Sequence, residues 1–210
     1  QAFHWGALHG AKTGGIIPLC GTAKTTTQNW ITLEGCKLAL QSDVNYNNGD
    51  YSSPPKKGLK AFSRNYTSTL FDKEGYEEGL HLNLFDGFED TESYLNFMDS
   101  FFGGIDANDL LGMLNTWQMG DIGKHEKFNN NTKEALANIK CPALVMPSST
   151  DLSFPARNNI PEVKGMPNAE LKVINTKHGH LAGGMSTTLT SQEDVTFIDK
   201  NIREFLKKIT

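Results

Sequence analysis

Near the two ends of the chain, apolar residues recur at the spacing expected for buried strands and for packed helices. Short apolar runs at 16–20 and 141–147 are typical of parallel strands buried on both faces, and residues 169–174 alternate as another strand would. Residues 195–209 place apolar side chains on one stripe of an amphipathic helix. Residues 1–8 have the pattern of a helix already under way, because no capping residue precedes them. The pattern predicts an α/β core.

Between about residues 24 and 138 the character of the chain changes. This stretch is polar and rich in Asn, Gly, Asp and aromatic residues, without convincing alternation. Apolar side chains recur at helical spacing in four places, so we expect a helical insertion between two core segments. The predicted helices carry Trp30, Leu33, Leu38 and Leu40; Leu59, Phe62 and Tyr66; Tyr94, Phe97, Met98 and Phe101; and Leu110, Leu111, Leu114 and Trp117.

Composition and charge narrow the classes of partner. Twenty basic and 24 acidic side chains give a formal net charge of -4, and no basic stripe indicates nucleic acid or a membrane surface. No apolar run is long enough to cross a bilayer, and no leader-like segment opens the chain. The three widely spaced cysteines, Cys20, Cys36 and Cys141, suit reduced thiols. The sequence therefore predicts a cytoplasmic globular protein, with nothing in its charge to indicate a nucleic-acid or membrane partner.

An acidic residue and two histidines follow neighbouring predicted strands. Asp151 comes just after the 141–147 run, and His178 and His180 come just after the 169–174 run. Carboxyl ends of parallel strands meet at one edge of a sheet, so these side chains are expected on adjacent loops. A carboxylate beside an imidazole can fix its tautomer and stabilise the imidazolium, as a catalytic base requires.

Simpler interpretations stand beside this one. Asp151 could be an ordinary loop cap, and His180 an ordinary loop histidine. His178 is better explained as a structural or pocket-lining residue than as a base. A metal site on the two histidines is disfavoured, because no Cys, Glu or further His lies at ligand spacing.

The chain resembles the α/β-hydrolase superfamily and, within it, the homoserine O-acetyltransferase-like branch. The resemblance implies an α/β-hydrolase fold with a partial parallel sheet and a helical lid. It divides the chain into 1–23 (end of the nucleophile helix and a core strand), 24–138 (lid) and 139–210 (carboxyl-terminal core). The similar segments are GIIPLCGTA (15–23), EGCKLAL (34–40), GDYSSPPKKGLKAFSRNY (49–66), DANDLLGMLNTWQMGDI (106–122), PALVMPSSTDLSFP (142–155), HGHLAGG (178–184) and DVTFIDKNIREFL (194–206).

This resemblance assigns roles to particular residues. Asp151 would be the acid and His180 the base of a Ser-His-Asp triad. Arg64 and Trp117 in the lid are candidates for substrate binding, although ion pairing and lid packing explain them more simply. Homoserine acetyltransferases commonly carry an Asp after the catalytic His, whereas this chain has Leu181, which cannot pair with an ammonium group. Leu181 therefore favours another acyl acceptor, or water.

The family's nucleophile motif, G-x-S-x-G, does not occur in the 210 residues. The segment QAFHW at 1–5 resembles the helix that follows the nucleophile, so the serine is expected a few residues before Gln1. The leading hypothesis is thus the carboxyl portion of a serine acyltransferase or esterase. The alternative is a non-catalytic fragment or pseudoenzyme that acts as a binding module, and whether this chain alone is an enzyme stays open.

Two further expectations follow. No cofactor or metal is required, although an acyl donor such as acetyl-CoA would be a substrate, together with a small-molecule acceptor. A parallel strand without a neighbour leaves an unpaired edge, so the chain is expected to be less stable than a complete family member and to self-associate.

Overall fold

A computed structural model describes residues 1–209 and divides them into two compact units. The core unit contains residues 1–24, 70–80 and 121 onward, and the helical unit contains residues 25–69 and 81–120. The helical unit is narrower than the lid predicted over 24–138, because residues 70–80 and 121–138 pack with the core unit. Among the described residues, no helix combines the length and the apolar character that crossing a bilayer requires.

Three short parallel segments form the sheet of the core unit. Strand β1 (Ala143–Val145) pairs in parallel with strand β2 (Ala169–Leu171), with Ala143 opposite Ala169. On its other side β1 is bridged by residues 16 and 19, which pair with Ala143 and Met146. The strands predicted at 141–147 and 169–174 are therefore present with shorter regular parts, whereas the segment 16–20 forms isolated parallel bridges in place of a full strand. Pro18, like the prolines flanking β1, lacks the N–H that would continue a ladder.

Both faces of β1 are covered, which explains its unbroken apolar sequence. Ala143 and Val145 pack in one buried cluster with Phe3, whereas Leu144 packs in a second cluster with Phe205. The alternation follows from the two-residue period of a strand. The helices of the core unit are α1 (Ala2–His9), α4 (Lys73–Glu77), α7 (Thr132–Ala137), α8 (Ala156–Gly165) and α9 (Gln192–Ile209).

Side-chain caps fix where three of the four helices in the helical unit begin. The side chains of Thr26, Asp90 and Asp106 each accept a hydrogen bond from a backbone N–H in the first turn of the helix that follows. The helices are α2 (Thr27–Gln41), α3 (Lys56–Thr67), α5 (Thr91–Gly103) and α6 (Ala107–Gln118). Short 3₁₀ segments occur at Gly10–Lys12, Val44–Gly49, Leu80–Asn83, Glu126–Phe128 and Gly179–Gly184.

The four helices predicted for the insertion are present, but parts of their apolar faces were assigned wrongly. In α2, Leu33 and Leu40 are buried as predicted, whereas Trp30 and Leu38 are exposed. The buried stripe of α2 is completed by Asn29 and Cys36. Likewise Phe97 and Phe101 are exposed in α5. A polar residue on the buried face made the stripe of α2 harder to identify from apolar spacing alone.

Candidate active site

Asp151 is fixed by the turn that carries it. The chain leaves β1, pairs once more through Ser148 and Ile174, and then turns toward α8. In this turn Asp151 Oδ1 accepts hydrogen bonds from the backbone N–H groups of Ser153 and Phe154, at 2.8 and 2.9 Å. Only 2% of the residue is exposed. Such a turn holds one carboxylate oxygen and leaves the other for a second partner.

His180 lies on the loop that follows β2, in the 3₁₀ segment Gly179–Gly184. Its backbone N–H donates to the carbonyl oxygen of Leu70 at 3.0 Å. The approach depends on Gly179, whose φ of +54° is left-handed and where a Cβ atom would lie 2.2 Å from the same Leu70 oxygen. The glycine between the two histidines therefore sets the geometry of this loop.

The two loops bring Asp151 and His180 into direct contact. His180 Nδ1 lies 2.8 Å from Asp151 Oδ2, with 31% of the histidine side chain exposed and none of the aspartate side chain. We assign Nδ1 as the donor, because Asp151 accepts at both of its oxygens. The neutral imidazole then has its lone pair on Nε2, the form that accepts a proton from a nucleophile.

Hydroxyl groups tie the two loops together. Ser149 Oγ and Thr150 Oγ1 both donate to the carbonyl oxygen of Thr176 at 3.0 Å, and Thr150 Oγ1 accepts from the N–H of Gly179 at 3.1 Å. Sequence reasoning did not single out these residues. The available signal was the Ser-Ser-Thr run directly before Asp151, since hydroxyls near strand ends often bond to neighbouring backbone.

His178 belongs to a different polar cluster from His180. Its Nδ1 lies 3.2 Å from Thr176 Oγ1 and 3.5 Å from Asp194 Oδ2. Asp194 is buried and accepts from the hydroxyls of Thr176 and Thr190. His178 thus faces a second carboxylate that sequence reasoning missed. A group of three or more His, Cys, Asp or Glu side chains able to hold a metal ion does not occur among residues 1–209.

Cys20 is buried at the end of the segment that pairs with β1. Its φ is +45°, and a Cβ on Gly183 would lie 2.9 Å from its Sγ. Burial, followed by the nearby Asp151 carboxylate, raises the pKa of the Cys20 thiol to about 12. The thiol is therefore neutral at physiological pH, which is the unreactive form. Cys20, Cys36 and Cys141 are all buried and outside disulfides.

The other predicted site residues fall in both units. Leu181 is half-buried directly after His180 in the core unit, whereas Arg64 and Trp117 lie in the helical unit. The Arg64 guanidinium donates to both oxygens of Glu92, at 3.2 and 2.7 Å, and through Nε to Asp99 at 3.1 Å. The hydrogen bonds that the guanidinium donates to Glu92 and then to Asp99 raise the pKa of Arg64 above its ordinary value.

Trp117 packs among aromatic side chains of the helical unit. Its ring meets that of Tyr66 edge-on at 6.4 Å between centroids. Tyr66 in turn contacts Phe62 and Phe102, so these rings form a continuous cluster. In the structure, Arg64 thus forms ion pairs and Trp117 packs against aromatic rings. A role of either residue in substrate binding stays a prediction.

Known proteins share both this sequence and this fold. A comparison with models of protein families finds no match. A probable esterase of Corynebacterium glutamicum is 31% identical over 99% of this chain and 58% of its own length. An ethyl acetate hydrolase of Pseudomonas veronii is 29% identical over 86% of this chain and 52% of its own length. Homoserine O-succinyltransferases and O-acetyltransferases also match, at 23 to 28% identity.

The fold agrees with these relatives. The solved structure of an acetylester hydrolase from Corynebacterium glutamicum superposes with a TM-score of 0.89 at 30% identity, over 99% of this chain and 58% of that one. The chain belongs to the α/β-hydrolase superfamily. This α/β-hydrolase chain spans 52 to 58% of the length of the first two relatives. The fold predicted from the sequence, with a partial parallel sheet and a helical insertion, is confirmed.

Proposed function

We propose that Asp151 and His180 are the acid and base of a Ser-His-Asp mechanism that cleaves short-chain esters. The observation that carries the proposal is the 2.8 Å contact between His180 Nδ1 and the buried Asp151 carboxylate. The proposal assigns the nucleophile to a serine outside the 210 residues, because none of the serines within them lies in a G-x-S-x-G turn.

The reaction proceeds through an acyl-enzyme. His180 Nε2 takes the proton of the serine hydroxyl while the serine oxygen forms a bond to the acyl carbon. The tetrahedral intermediate collapses, the bond to the leaving alcohol breaks, and His180 returns the proton to that alcohol. An acceptor then forms a bond to the acyl carbon while His180 takes the acceptor's proton, the bond between the acyl carbon and the serine oxygen breaks, and His180 returns the proton to the serine. Asp151 holds the tautomer and stabilises the imidazolium at both steps.

Leu181 disfavours an acceptor that carries an ammonium group and leaves water or another alcohol as the acceptor. An apolar side chain next to the base offers nothing to the ammonium group of an amino alcohol. The named activities of two relatives, esterase and ethyl acetate hydrolase, support a small acyl group and hydrolysis. Transfer to an alcohol is the alternative outcome, since both reactions share the acyl-enzyme. No cofactor is required, and acetyl-CoA would enter only as an acyl donor.

The test uses a protein that contains both this chain and a nucleophile segment. Asp151→Asn and His180→Gln should each lower kcat for p-nitrophenyl acetate hydrolysis by about 10³-fold or more, because the serine loses its oriented base. His178→Gln is the matched control. It removes an imidazole from the same loop, but one that bonds to Thr176, so kcat should change only several-fold. Near-normal rates in both site variants would contradict the triad assignment.

A fluorophosphonate probe separates this proposal from a binding module without catalysis. The 210-residue chain alone should remain unlabelled, whereas a protein that includes the nucleophile segment should be labelled, and His180→Gln should slow its labelling. Absence of labelling in the longer protein would favour the non-catalytic alternative. Labelling of the 210-residue chain would place the nucleophile within it and contradict the assignment to an outside serine.

A further inference from the structure

Residues 70–80 form a strap across the histidine loop. The strap belongs to the core unit, although the segments before and after it, 25–69 and 81–120, form the helical unit. It contains the short helix α4, whose first turn is capped by Asp72 accepting from the N–H of Gly75 at 2.9 Å. The described contacts of the strap converge on residues 177–180.

The first contact is made by the backbone. The Leu70 carbonyl accepts from the His180 N–H at 3.0 Å. A Cβ on Gly179 would lie 2.2 Å from that oxygen and 3.0 Å from Phe71 Cα. The strap and the loop therefore approach so closely here that position 179 has no room for a side chain.

The second and third contacts involve Lys177. A Cβ on Gly75 would lie 2.9 Å from the Lys177 carbonyl oxygen, so α4 packs directly on the loop backbone. The Lys177 ammonium pairs with Glu74 at 3.1 Å and with Glu78 at 2.5 Å. Both carboxylates lie on the strap, and the lysine lies three residues before His180. These ion pairs join the strap and the loop through different residues from the Leu70 contact.

The acid and base of the proposed triad are therefore held by different means. Asp151 is fixed by its own turn through Ser153 and Phe154. The backbone of His180 is bonded to Leu70 of the strap, while its ring lies 5.4 Å from the ring of Phe154. We propose that the strap, residues 70–80, is a positioning element that sets where the His180 imidazole stands relative to Asp151. The inference rests on the proposed function, in which His180 is the base.

The test is an NMR measurement on the 210-residue chain, and it needs no nucleophile. One readout is the proton shared by His180 Nδ1 and Asp151, identified by its loss in Asp151→Asn. The other is the exchange rate of the His180 backbone amide, which Leu70 protects. Lys177→Glu replaces two attractive contacts with repulsion and should raise amide exchange about fivefold or more. It should also broaden or remove the shared-proton signal.

Two further variants show whether the effect of Lys177→Glu comes from its ion pairs with the strap. Lys73→Glu makes the same lysine-to-glutamate change on helix α4 of the strap, but the described ion pair of Lys73 is with Glu77 of the same helix, so both readouts should stay as in the wild type. Lys177→Glu combined with Glu74→Lys and Glu78→Lys restores opposite charges and should return both readouts toward the wild type. Thermal melts of all variants show whether any change is global.

The outcomes separate the two proposals. Lys177→Glu with wild-type behaviour in both readouts would overturn the strap inference and leave the proposed function standing. Faster amide exchange with an unchanged shared-proton signal would also overturn it, because the strap would then hold the backbone without positioning the imidazole. A wild-type protein without any signal that depends on Asp151 would overturn the His180–Asp151 pair itself, and with it both proposals.

Discussion

Gly179 shows how one residue constrains the site. Its left-handed backbone and its contact with the Leu70 carbonyl both exclude a Cβ atom. The sequence shows that this glycine stands between two histidines, but it does not show which backbone segment the glycine approaches. That neighbour is more than 100 residues away in the chain, so local pattern carries no signal for it.

Gly179→Ala should lower the free energy of unfolding by about 2 kcal/mol or more, from the left-handed conformation and the overlap together. Urea unfolding followed by circular dichroism measures this. Gly112→Ala is the matched control, because Gly112 is an exposed position within α6 with nothing near its Cβ. It should raise stability by up to about 1 kcal/mol. Equal effects of the two substitutions would contradict the packing argument.

Glu162 is a second residue that the sequence did not reveal. Its carboxylate accepts from the N–H of Ala23 at 2.8 Å and from Asn159 Nδ2 at 2.7 Å. Burial raises the pKa of Glu162 from 4.5 to about 7, against the opposing effect of these hydrogen bonds. The folded state therefore binds a proton more tightly than the unfolded state does.

The sign of the pH dependence follows from this raised pKa. Stability from the protonated Glu162 carboxyl is fully present below pH 4.5 and is lost as the pH rises through about 7. Between pH 5 and 8 the wild type should lose about 2 kcal/mol of unfolding free energy relative to Glu162→Gln, which cannot ionise. Urea denaturation at several pH values measures the difference. Parallel stability curves for the two proteins would contradict a raised pKa.

At the scale of elements, helices were easier to predict than strands. The four helices of the insertion were found from apolar spacing, and three of them, α2, α5 and α6, start at local caps, which are Thr26, Asp90 and Asp106. Caps and spacing are local information. The strands depend on distant partners, and the prolines around β1 shorten the regular ladder in a way that an apolar run does not reveal.

Arg64 connects two helices of the helical unit. It lies on α3 and pairs with Glu92 and Asp99 on α5. A carboxylate substrate would have to displace these partners to reach the guanidinium. The sequence suggested the arginine as a substrate ligand because the motif is local, whereas its acidic partners lie 28 and 35 residues away.

Arg64→Lys should lower the melting temperature modestly and leave KM for a neutral ester unchanged. A lysine keeps the charge but loses the two-pronged contact with Glu92. Differential scanning calorimetry and ester kinetics measure the two effects. Lys60→Arg serves as the control, since Lys60 makes one looser contact with Asp99 at 3.5 Å. A large rise in KM for Arg64→Lys alone would indicate a substrate role instead.

For the whole molecule, the order of the two units along the chain could not be predicted. Composition marked one insertion over 24–138, but the chain passes from the core unit to the helical unit twice. The strap is polar and helical, like its flanking segments, so composition gives no reason to separate it. Its place is decided by contacts with the histidine loop, which only the folded chain reveals.

The sheet of the core unit has an open edge in the described part of the chain. Backbone groups of Ile16, Pro18 and Cys20 bond to the β1 side, whereas the alternate residues, Ile17 and Leu19, face the other way. No described backbone hydrogen bond reaches the N–H of Ile17 or Leu19. Such an edge is a template for pairing with another chain, which supports the predicted self-association.

The 210-residue chain should therefore associate in a concentration-dependent way, and Ile17→Lys should reduce association by placing a charge beside the edge. Because Ile17 also packs against the buried cluster of Leu144, a thermal melt of this variant measures the stability lost there. Analytical ultracentrifugation over a range of concentrations measures this. Val44→Lys is the control, because Val44 is 87% exposed in the helical unit and away from the edge. A wild-type chain that stays monomeric at all concentrations and melts sharply at high temperature would contradict the prediction.

The position of the strap within the sequence limits how the protein could be simplified. Replacing residues 25–120 with one linker would delete residues 70–80 together with the helical unit, and His180 would lose the backbone partner that Leu70 provides. A minimal version of the fold would instead need two linkers, one in place of 25–69 and one in place of 81–120, with the strap retained between them.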